Sequence, residues 1–240
     1  MNKKSTIAII PARSGSKGLK DKNILEFQGL PLFLHSYNYA LKSLDKSQVI
    51  ISTDSYKYKE IAIKNGLDAN SIYIRPASLA EDLVVDYPVA LHAWIEYEKK
   101  NNCNIDFLIW LRPTSPLRQK GLIEKSLNLI KSDDNISSVR AMRKVSEHPY
   151  RIWEQKYPNK QVYPIICDNN QKELANIPRQ LLPKSYFFQS GEIEVVRRKT
   201  LQQGSFSGNH VYPLFIENKS PDIDTKNDFE ELNYIDSNES

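Results

Sequence analysis

The chain has 240 residues, of which 40% are hydrophobic and 26% are charged, and its formal net charge is +4. This length and composition fit one globular domain with a sizeable core and exclude a disordered or fibrous protein. No apolar run approaches the roughly 20 residues that span a bilayer, and two cysteines are too few for a disulfide framework. Because the N-terminal MNKKST also shows no signal-peptide region, we expect a cytoplasmic protein that binds no membrane.

Apolar, β-rich runs alternate with amphipathic stretches along the chain. This alternation predicts an α/β fold with a Rossmann-like, mostly parallel sheet flanked by helices. In chain order, strands are predicted over 6–10, 48–52, 72–74, 106–111, 137–141 and 193–196. Helices are predicted over 31–43, 56–65, 86–99, 120–131 and 226–235, and the residues from Asp236 are expected to fray.

Residues 145–190 break this rhythm with several prolines and aromatic residues. We interpret them as an irregular insertion or small subdomain within a single domain that covers 1–240. Basic residues are interspersed with acidic ones along the chain, and no predicted helix carries a basic stripe. The sequence therefore argues against nucleic acid as a partner.

The segment PARSGSKGLKDKN at 11–23 directly follows the first predicted strand. It therefore lies at the carboxyl end of a strand, which is the edge at which open α/β sheets bind ligands. Its two glycines permit a close approach of the backbone, and Arg13, Lys17 and Lys22 supply positive charge, so the segment suits a polyphosphate. Because the spacing matches neither the Walker A motif nor GxGxxG, a solvated turn remains the alternative.

An acidic D-x-D pair, Asp222 and Asp224, precedes the last predicted helix. Alternate side chains of an extended segment share a face, so the two carboxylates can converge on one hard cation. Capping of the following helix by Asp224 is the competing role. Taken alone, this common pattern favours a solvated turn.

Seven motifs occur in an order that resembles the sugar-acid cytidylyltransferases, and in particular the acylneuraminate branch, which contains the CMP-sialic acid synthetases. They are IIPARSGSKGLKDKN at 9–23 with FQGLPLFLHSYNYALKS at 27–43, VIISTD at 49–54, RPASLAED at 75–82, LRPTSPLR at 111–118, HPYRIW at 148–153, PRQLLP at 178–183 and DIDTKNDFE at 222–230. Each motif is weak alone. Together they span nearly the whole chain, which makes chance agreement implausible.

The resemblance implies a fold of the nucleotidyltransferase type and a reaction between CTP and a 3-deoxy-2-keto sugar acid, a sialic-acid-like nonulosonate. The anomeric hydroxyl would attack the α-phosphate directly, giving a CMP-sugar and pyrophosphate. Such transfer depends on positioning and on charge neutralisation, and it requires a divalent metal, Mg²⁺ or alternatively Mn²⁺. A cytidylyltransferase for 3-deoxy-octulosonate and a non-catalytic nucleotide-binding module remain the alternatives.

The resemblance assigns the nucleotide and metal sites residue by residue. Arg13, Lys22 and Asp224 match catalytic residues, Asp222 and Asp224 match metal ligands, and the matches to the nucleotide pocket are Ala12, Arg13, Ser16, Lys22, Asn23 and Arg75. Lys17 is a weaker candidate because it can point into solvent. A salt bridge from Arg75 to Glu81 or Asp82 is the alternative role for that arginine. Asp54 ends a predicted strand, where we expect it to cap the next helix.

The residues that match the family's sugar site are Arg112, Thr114, Ser115, Arg151, Arg179 and Ser190, and Arg118 is expected to anchor the turn at 114–118. Three segments depart from the family pattern. Arg112 stands where glutamine is usual, 84–86 (Val-Val-Asp) stands where serines are common, and 188–194 replaces RPNGAIY, so that Phe188 takes the place of an arginine. These changes predict a preference for a deoxygenated acid, such as legionaminic or pseudaminic acid, over N-acetylneuraminate. Alternatively, Arg112 braces the turn against an acidic neighbour.

The resemblance also implies a homodimer in which 145–190 packs against a second subunit and lends basic residues to its sugar site. The aromatic residues suited to such a contact are Tyr150, Trp153, Tyr157, Tyr163, Tyr186 and Phe187. The core of a small subdomain is the alternative role of these side chains.

Overall fold

The computed structural model describes residues 5–155, 157–158, 161–166, 174–182, 186–217 and 222–239. Its strands are β1 (Thr6–Pro11), β2 (Glu26–Phe27), β3 (Leu30–Pro31), β4 (Val49–Thr53), β5 (Ile72–Ile74), β6 (Phe107–Trp110), β7 (Ser138–Lys144), β8 (Trp153–Gln155), β9 (Val162–Pro164), β10 (Phe187–Arg197) and β11 (Val211–Phe215). Its α-helices are α1 (Leu32–Ala40), α2 (Tyr56–Lys64), α3 (Asp86–Asn101), α4 (Leu122–Ser132), α5 (Arg198–Gln202) and α6 (Lys226–Glu239).

A seven-stranded sheet has the order β11-β7-β10-β6-β1-β4-β5. Strands β6, β1, β4 and β5 are parallel to one another, and β10 runs antiparallel to β6. The predicted α/β fold with a mostly parallel sheet is therefore confirmed. The chain runs from β1 to β4 and β5 on one side and then returns to β6 on the other, so the strand order reverses beside β1. Open α/β sheets bind ligands in the crevice at such a reversal.

The two faces of the sheet are both covered, which explains why the central strands are continuously apolar. In β1, Ala8 and Ile10 pack with residues of α1, α2 and α4, whereas Ile7 and Ile9 pack with residues of α3 and α5. All four of these side chains are fully buried. This double-sided core fixes the position of the loop that follows β1.

The chain forms two compact units, Met1–Ala141 with Ser190–Ser240, and Met142–Gln189. The second unit coincides closely with the insertion predicted from the sequence. It contains the antiparallel pair of β8 and β9, in which Trp153 lies opposite Pro164. It also contains a cluster of three rings, in which His148 meets Tyr150 and Tyr186 edge-on.

The predicted elements were found, with shifted ends, and three differences are informative. Helix α6 continues to Glu239, beyond the predicted end at 235, and the expected fraying from Asp236 stays a prediction. Strand β10 begins at Phe187, well before the predicted 193. Its first three residues are exposed, so the buried-strand pattern in the sequence starts later than the strand itself. Strand β11 was missed because it is a half-exposed edge strand that contains Pro213, a residue tolerated at sheet edges.

Among the described residues, none of the helices combines the length and apolar character that a membrane crossing requires. Cys103 packs against the face of the core that includes α3. Cys167 lies outside the described residues.

Candidate active site

A cavity of about 700 Å³ opens in the first unit, where the loops after β1 and β6 meet. The residues assigned from the sequence that line it are Arg13, Ser16, Lys22, Asn23, Arg75, Arg112, Thr114, Asp222 and Asp224. Three further assigned residues, Ala12, Ser115 and Ser190, are buried and do not line it. The structure therefore brings the basic loop, the acidic pair and the turn after β6 to one place.

The loop after β1 is held by hydrogen bonds at several points. The Ala12 amide donates to the Ser52 carbonyl at 2.9 Å, and the Asn23 side chain donates to the Arg13 carbonyl at 2.8 Å. Asp54 accepts from both the amide and the hydroxyl of Ser14, at 2.9 and 2.5 Å. The expectation that Asp54 caps the next helix was wrong, because Ser55 caps α2 and leaves the Asp54 carboxylate to fix the loop.

Arg75 is the most deeply buried cation of the cavity lining, with 4% of its surface exposed. Its Nε atom has no hydrogen-bond partner among the described residues, and the alternative salt bridges to Glu81 and Asp82 are not formed. Burial lowers the pKa of Arg75 to about 10, while the charge of Asp54 opposes that shift. A buried guanidinium without a carboxylate partner is costly, so this position is suited to an anion.

The other cations of the basic loop pair with carboxylates at the cavity surface. Arg13 Nη1 lies 3.1 Å and Lys17 Nζ lies 2.6 Å from the carboxylate of Asp82. The hydrogen bond from Lys17 is the main cause that lowers the pKa of Asp82. Lys22 Nζ lies 2.6 Å from Asp224 Oδ1, and the Asp224 side chain is 71% exposed. These pairs compensate the positive charge of the loop.

The acidic pair is oriented by the residue between its members. Ile223 is fully buried, packs with Leu232 of α6, and donates its amide to the Thr114 carbonyl at 3.0 Å. Its neighbours Asp222 and Asp224 are exposed and line the cavity. This alternation is what the sequence pattern predicted for an extended segment.

Helix α6 is capped by residues other than Asp224. The Asp228 carboxylate accepts from the amides of Asp224 and Thr225 at 3.0 and 2.6 Å, and the Asp228 amide donates to the Thr225 hydroxyl at 3.3 Å. This arrangement is a capping box. The two backbone amides lower the pKa of Asp228. The carboxylate of Asp224 thus takes no part in the cap, and its partner is Lys22.

At Gly18, the backbone of the basic loop packs against the backbone of the acidic segment. A Cβ atom at this position would lie 2.5 Å from the carbonyl oxygen of Asp224, which is closer than real contacts allow. Only glycine therefore permits the two backbones to approach this closely.

The donor set fits a magnesium ion that completes its coordination with phosphate oxygens and water. Mg²⁺ in phosphoryl-transfer sites is usually held by one or two carboxylates together with the substrate. Asp222 and Asp224 supply two carboxylates beside the loop cations, although the described residues hold no group of three acidic, histidine or cysteine side chains that could bind a metal alone.

Arg112 lies at the other side of the cavity, in an ion-pair cluster. Its Nη2 atom lies 2.5 Å from Asp86 Oδ2 and 2.8 Å from Glu194 Oε1. Arg140 Nη1 lies 2.7 Å from the second oxygen of Glu194. Burial lowers the pKa of Arg112, but the charge of Glu194 and the contacts of Asp86 outweigh it and raise the pKa. The alternative in which Arg112 braces against acidic neighbours is thus present in the structure.

The turn after β6 is anchored by Arg118, as expected from the sequence. This buried side chain donates to the Glu192 carbonyl at 2.6 Å, to the Ser36 hydroxyl at 2.9 Å and to the Arg112 carbonyl. Burial lowers its pKa to about 10. Arg118 therefore holds the backbone of Arg112 in place. Ser190, another residue assigned to the sugar site, donates its hydroxyl to the Ala141 carbonyl at 3.4 Å.

Two assigned residues lie in the second unit. Arg151 is exposed and donates to the Ile177 carbonyl at 3.4 Å. Arg179 lines a cavity of about 370 Å³ together with Lys144, His148 and Tyr186. Their assignment to a sugar site stays a prediction.

Sequence reasoning missed the site roles of Asp82, Asp54 and Glu194. No local signal distinguished Asp82 from other surface carboxylates, since its partners lie more than 60 positions away. Glu194 could have been noticed, because a carboxylate within the apolar run IEVV predicts a buried charge that requires a partner.

A mostly parallel sheet carries a basic loop and an acidic pair at its carboxyl edge, together with a buried arginine that has no carboxylate partner among the described residues. These features are typical of nucleotide-binding α/β proteins. The sequence model of the family described as cytidylyltransferase matches residues 7–172, and the chain belongs to this family.

Its relatives differ in length and in name. The chain is 31% identical over 227 residues to an N-acylneuraminate cytidylyltransferase of Streptococcus agalactiae serotype V. The aligned region covers 93% of this chain but only 51% of that protein. It is 30% identical to post-translational flagellin modification protein B of Campylobacter coli, over 95% of this chain and 94% of that protein. It is 32% identical to a pseudaminic acid cytidylyltransferase of Campylobacter jejuni, over 69% and 65%. The chain thus spans about half the length of the streptococcal relative.

Solved structures agree with the fold. A CMP:2-keto-3-deoxy-manno-octonic acid synthetase complexed with CTP matches 98% of this chain and 99% of its own with a TM-score of 0.70. Since its sequence identity is 17%, this match concerns the fold alone.

Proposed function

We propose that this chain transfers the cytidylyl group of CTP to the anomeric hydroxyl of a 3-deoxy-2-keto sugar acid and releases pyrophosphate. The observation that carries the proposal is Arg75, a buried guanidinium without a carboxylate partner among the described residues, in the lining of the cavity that also contains Arg13 and Lys22. Three cations at one cavity suit a triphosphate, whose charge they would neutralise. Family membership supports the same choice.

In the proposed reaction, Arg13, Lys22 and Arg75 bind the triphosphate, with Ser16 and Asn23 beside them and Ala12 behind. The chain's cations stabilise the charge that develops on the phosphate oxygens, and no covalent intermediate with the protein is needed. Asp222 and Asp224 would hold Mg²⁺, which supplies charge neutralisation at the reacting phosphate when it is bound. Lys22 would then leave Asp224 for the phosphate, so that the carboxylate becomes available to the metal.

The acceptor in this proposal is a nonulosonate. Relatives named for N-acylneuraminate, pseudaminic acid and N,N'-diacetyllegionaminic acid support this substrate class. Thr114 and Arg112 line the cavity beside the acidic pair, where the attacking hydroxyl would lie. Of the two residues behind the predicted preference for a deoxygenated acid, Arg112 lines the cavity, whereas Phe188 is 52% exposed in the second unit, contacts Arg143 and is not among the lining residues. The apolar contact expected from Phe188 therefore has no support here, and the preference stays a prediction.

The second unit supports a proposed homodimer. Its exposed apolar residues include Trp153, Tyr157, Tyr163 and Phe187, and such aromatic surface is typical of subunit contacts. Analytical ultracentrifugation of the wild type and of a Trp153→Ser, Tyr163→Ser variant tests this part. A monomeric wild type would remove it.

The activity is tested by pyrophosphate release with Mg²⁺. The panel combines N-acetylneuraminate, legionaminic acid, pseudaminic acid and 3-deoxy-octulosonate with each of the four nucleoside triphosphates. We expect turnover with CTP and at least one nonulosonate, and none when either substrate or the cation is omitted. Arg75→Gln should raise the KM for CTP at least tenfold, on the order of one lost charged contact, whereas Arg198→Gln, outside the cavity lining, should not. A folded protein that turns over no combination would refute the assignment.

A further inference from the structure

Asp86, Arg112 and Glu194 come from three distant parts of the chain and meet in one cluster. Asp86 begins α3, Arg112 follows β6, and Glu194 lies in β10. Arg112 donates to Asp86 through both Nη atoms, at 3.3 and 2.5 Å, and to Glu194 at 2.8 Å. In the resemblance drawn from the sequence, each of the three lies in a segment that departs from the family pattern. The departures are therefore one connected change at one wall of the cavity.

Glu194 is the buried centre of this cluster. It is 1% exposed and holds Arg112 on one oxygen and Arg140 on the other. Arg140 is itself buried, donates to the Ser207 hydroxyl at 2.8 Å, and stacks on the ring of Phe206. A carboxylate enclosed in this way cannot turn to solvent, so it holds the Nη2 atom of Arg112, while Asp86 accepts from both Nη atoms and sets the plane of the guanidinium.

The charges of the cluster balance, since two arginines face two carboxylates. Arg112 therefore offers little net attraction to a further anion, such as the carboxylate of a sugar acid, but it remains a donor. The two carboxylates take three of its five N–H groups. Its Nε atom lies 3.6 Å from the place that a Cβ atom of Gly191 would occupy, and Asp222 Oδ2 lies at the same distance from that point. Arg112 and Asp222 both line the cavity, so this donor and the acidic pair face the same space.

We propose that Asp86 and Glu194 are positioning residues that hold Arg112 as a fixed donor to a neutral oxygen of the sugar acid, an acylamino carbonyl or a hydroxyl, and thereby set acceptor specificity. This inference rests on the proposed function. The proposed role differs from that of a purely structural brace, because loss of a brace would change the KM for the sugar acid and the KM for CTP alike.

The test compares Arg112→Gln, Glu194→Gln and the double variant with the wild type, by the KM for each acid and for CTP. We expect each single variant to raise the KM for the preferred acid about tenfold, as for a lost hydrogen bond to a charged group. The KM for CTP should stay within about twofold, and the double variant should be no worse than Arg112→Gln, because Glu194 acts through that residue.

The matched control is the ion pair of Arg198 and Glu98. Its distance is 2.6 Å, and the Arg198 side chain is 28% exposed, as is that of Arg112. Arg198→Gln should lower the midpoint of thermal unfolding, but it should not change the KM for the acid relative to the KM for CTP. If Glu194→Gln does not fold, Asp86→Asn replaces it, because Asp86 is only partly buried.

Two results would overturn the inference while leaving the proposed function intact. The first is that the effects of Arg112→Gln and Glu194→Gln on the KM for the acid add in the double variant. The second is that the KM for the acid and the KM for CTP change by the same factor. A wild type that releases no pyrophosphate with any acid would instead remove the proposed function, and the inference with it. Calorimetric titration of N-acetylneuraminate and legionaminic acid into the CTP-bound protein gives a second readout of the same specificity.

Discussion

The two walls of the cavity neutralise their cations in different ways. On the phosphate side, Arg13 and Lys22 pair with Asp82 and Asp224, whose side chains are 34% and 71% exposed. On the other side, Arg112 pairs with Glu194, whose side chain is 1% exposed. Exposed pairs contribute at most about 1 kcal/mol, whereas breaking a buried pair leaves a costly charge. One wall is therefore suited to exchange partners when a ligand arrives, and the other to keep its shape.

The strongest test of the exchangeable wall removes its cations. Arg13→Ala and Lys22→Ala should each slow turnover by on the order of a hundredfold, because the transition state would lose a preorganised positive charge. Steady-state kinetics with CTP and the preferred acid measure this. Lys20→Ala is the matched control, since Lys20 is an exposed lysine of the same segment outside the cavity lining. Wild-type kcat and KM in either variant would return that residue to a structural role.

The next largest effect concerns the acidic pair. Asp222→Asn and Asp224→Asn should each raise the Mg²⁺ concentration for half-maximal turnover about tenfold or more, because an amide lacks the charge that binds this ion. A Mg²⁺ titration of each variant gives the value. Asp134→Asn, at a side chain that is 97% exposed and pairs with Arg197, should leave the titration unchanged. Unaltered curves for both site variants would exclude them as ligands.

A smaller effect of opposite sign is expected at Asp82. Because this carboxylate competes with phosphate for Arg13 and Lys17, Asp82→Asn should lower the KM for CTP about twofold to fivefold, within the range of an exposed ion pair. The effect should shrink as ionic strength increases. A higher KM would show that Asp82 supports the loop instead of competing for it.

The smallest effect concerns stability and tests whether Asp228, instead of Asp224, caps α6. Asp228→Ala should lower the free energy of unfolding by about 1 kcal/mol. Since the pKa of Asp228 is lowered from 3.8 in the folded protein, its contribution is present above that value and is lost as the pH falls through the folded pKa. Urea unfolding of both proteins at pH 7 and at low pH should show the difference disappear in acid. An equal loss in Asp224→Ala would contradict the assignment.

What the sequence could predict depended on short-range patterns. The strand 6–10 and its basic loop could be predicted because buried parallel strands are continuously apolar. Asp222 and Asp224 could be predicted as a pair because alternation along an extended segment points both side chains away from the buried Ile223. The contact between Arg112 and Asp86 could not be predicted from the sequence. The two residues are 26 positions apart, and their contact depends on where α3 begins relative to the end of β6. Asp54 was misassigned because an aspartate after a strand fits either a cap or a loop support, and Ser55 competed successfully for the cap.

The close packing of Gly18 against the Asp224 carbonyl has a consequence for how the molecule is made. Lys22 and Asp224 are 202 positions apart, so the cavity closes only when the last helix has been synthesised and has docked. Closing so long a loop is a late event, since its entropy must be lost before the contacts form. On the ribosome, the basic loop therefore emerges first and stays exposed until Asp224 and α6 have emerged, so the cavity should form only after residue 239 has been synthesised.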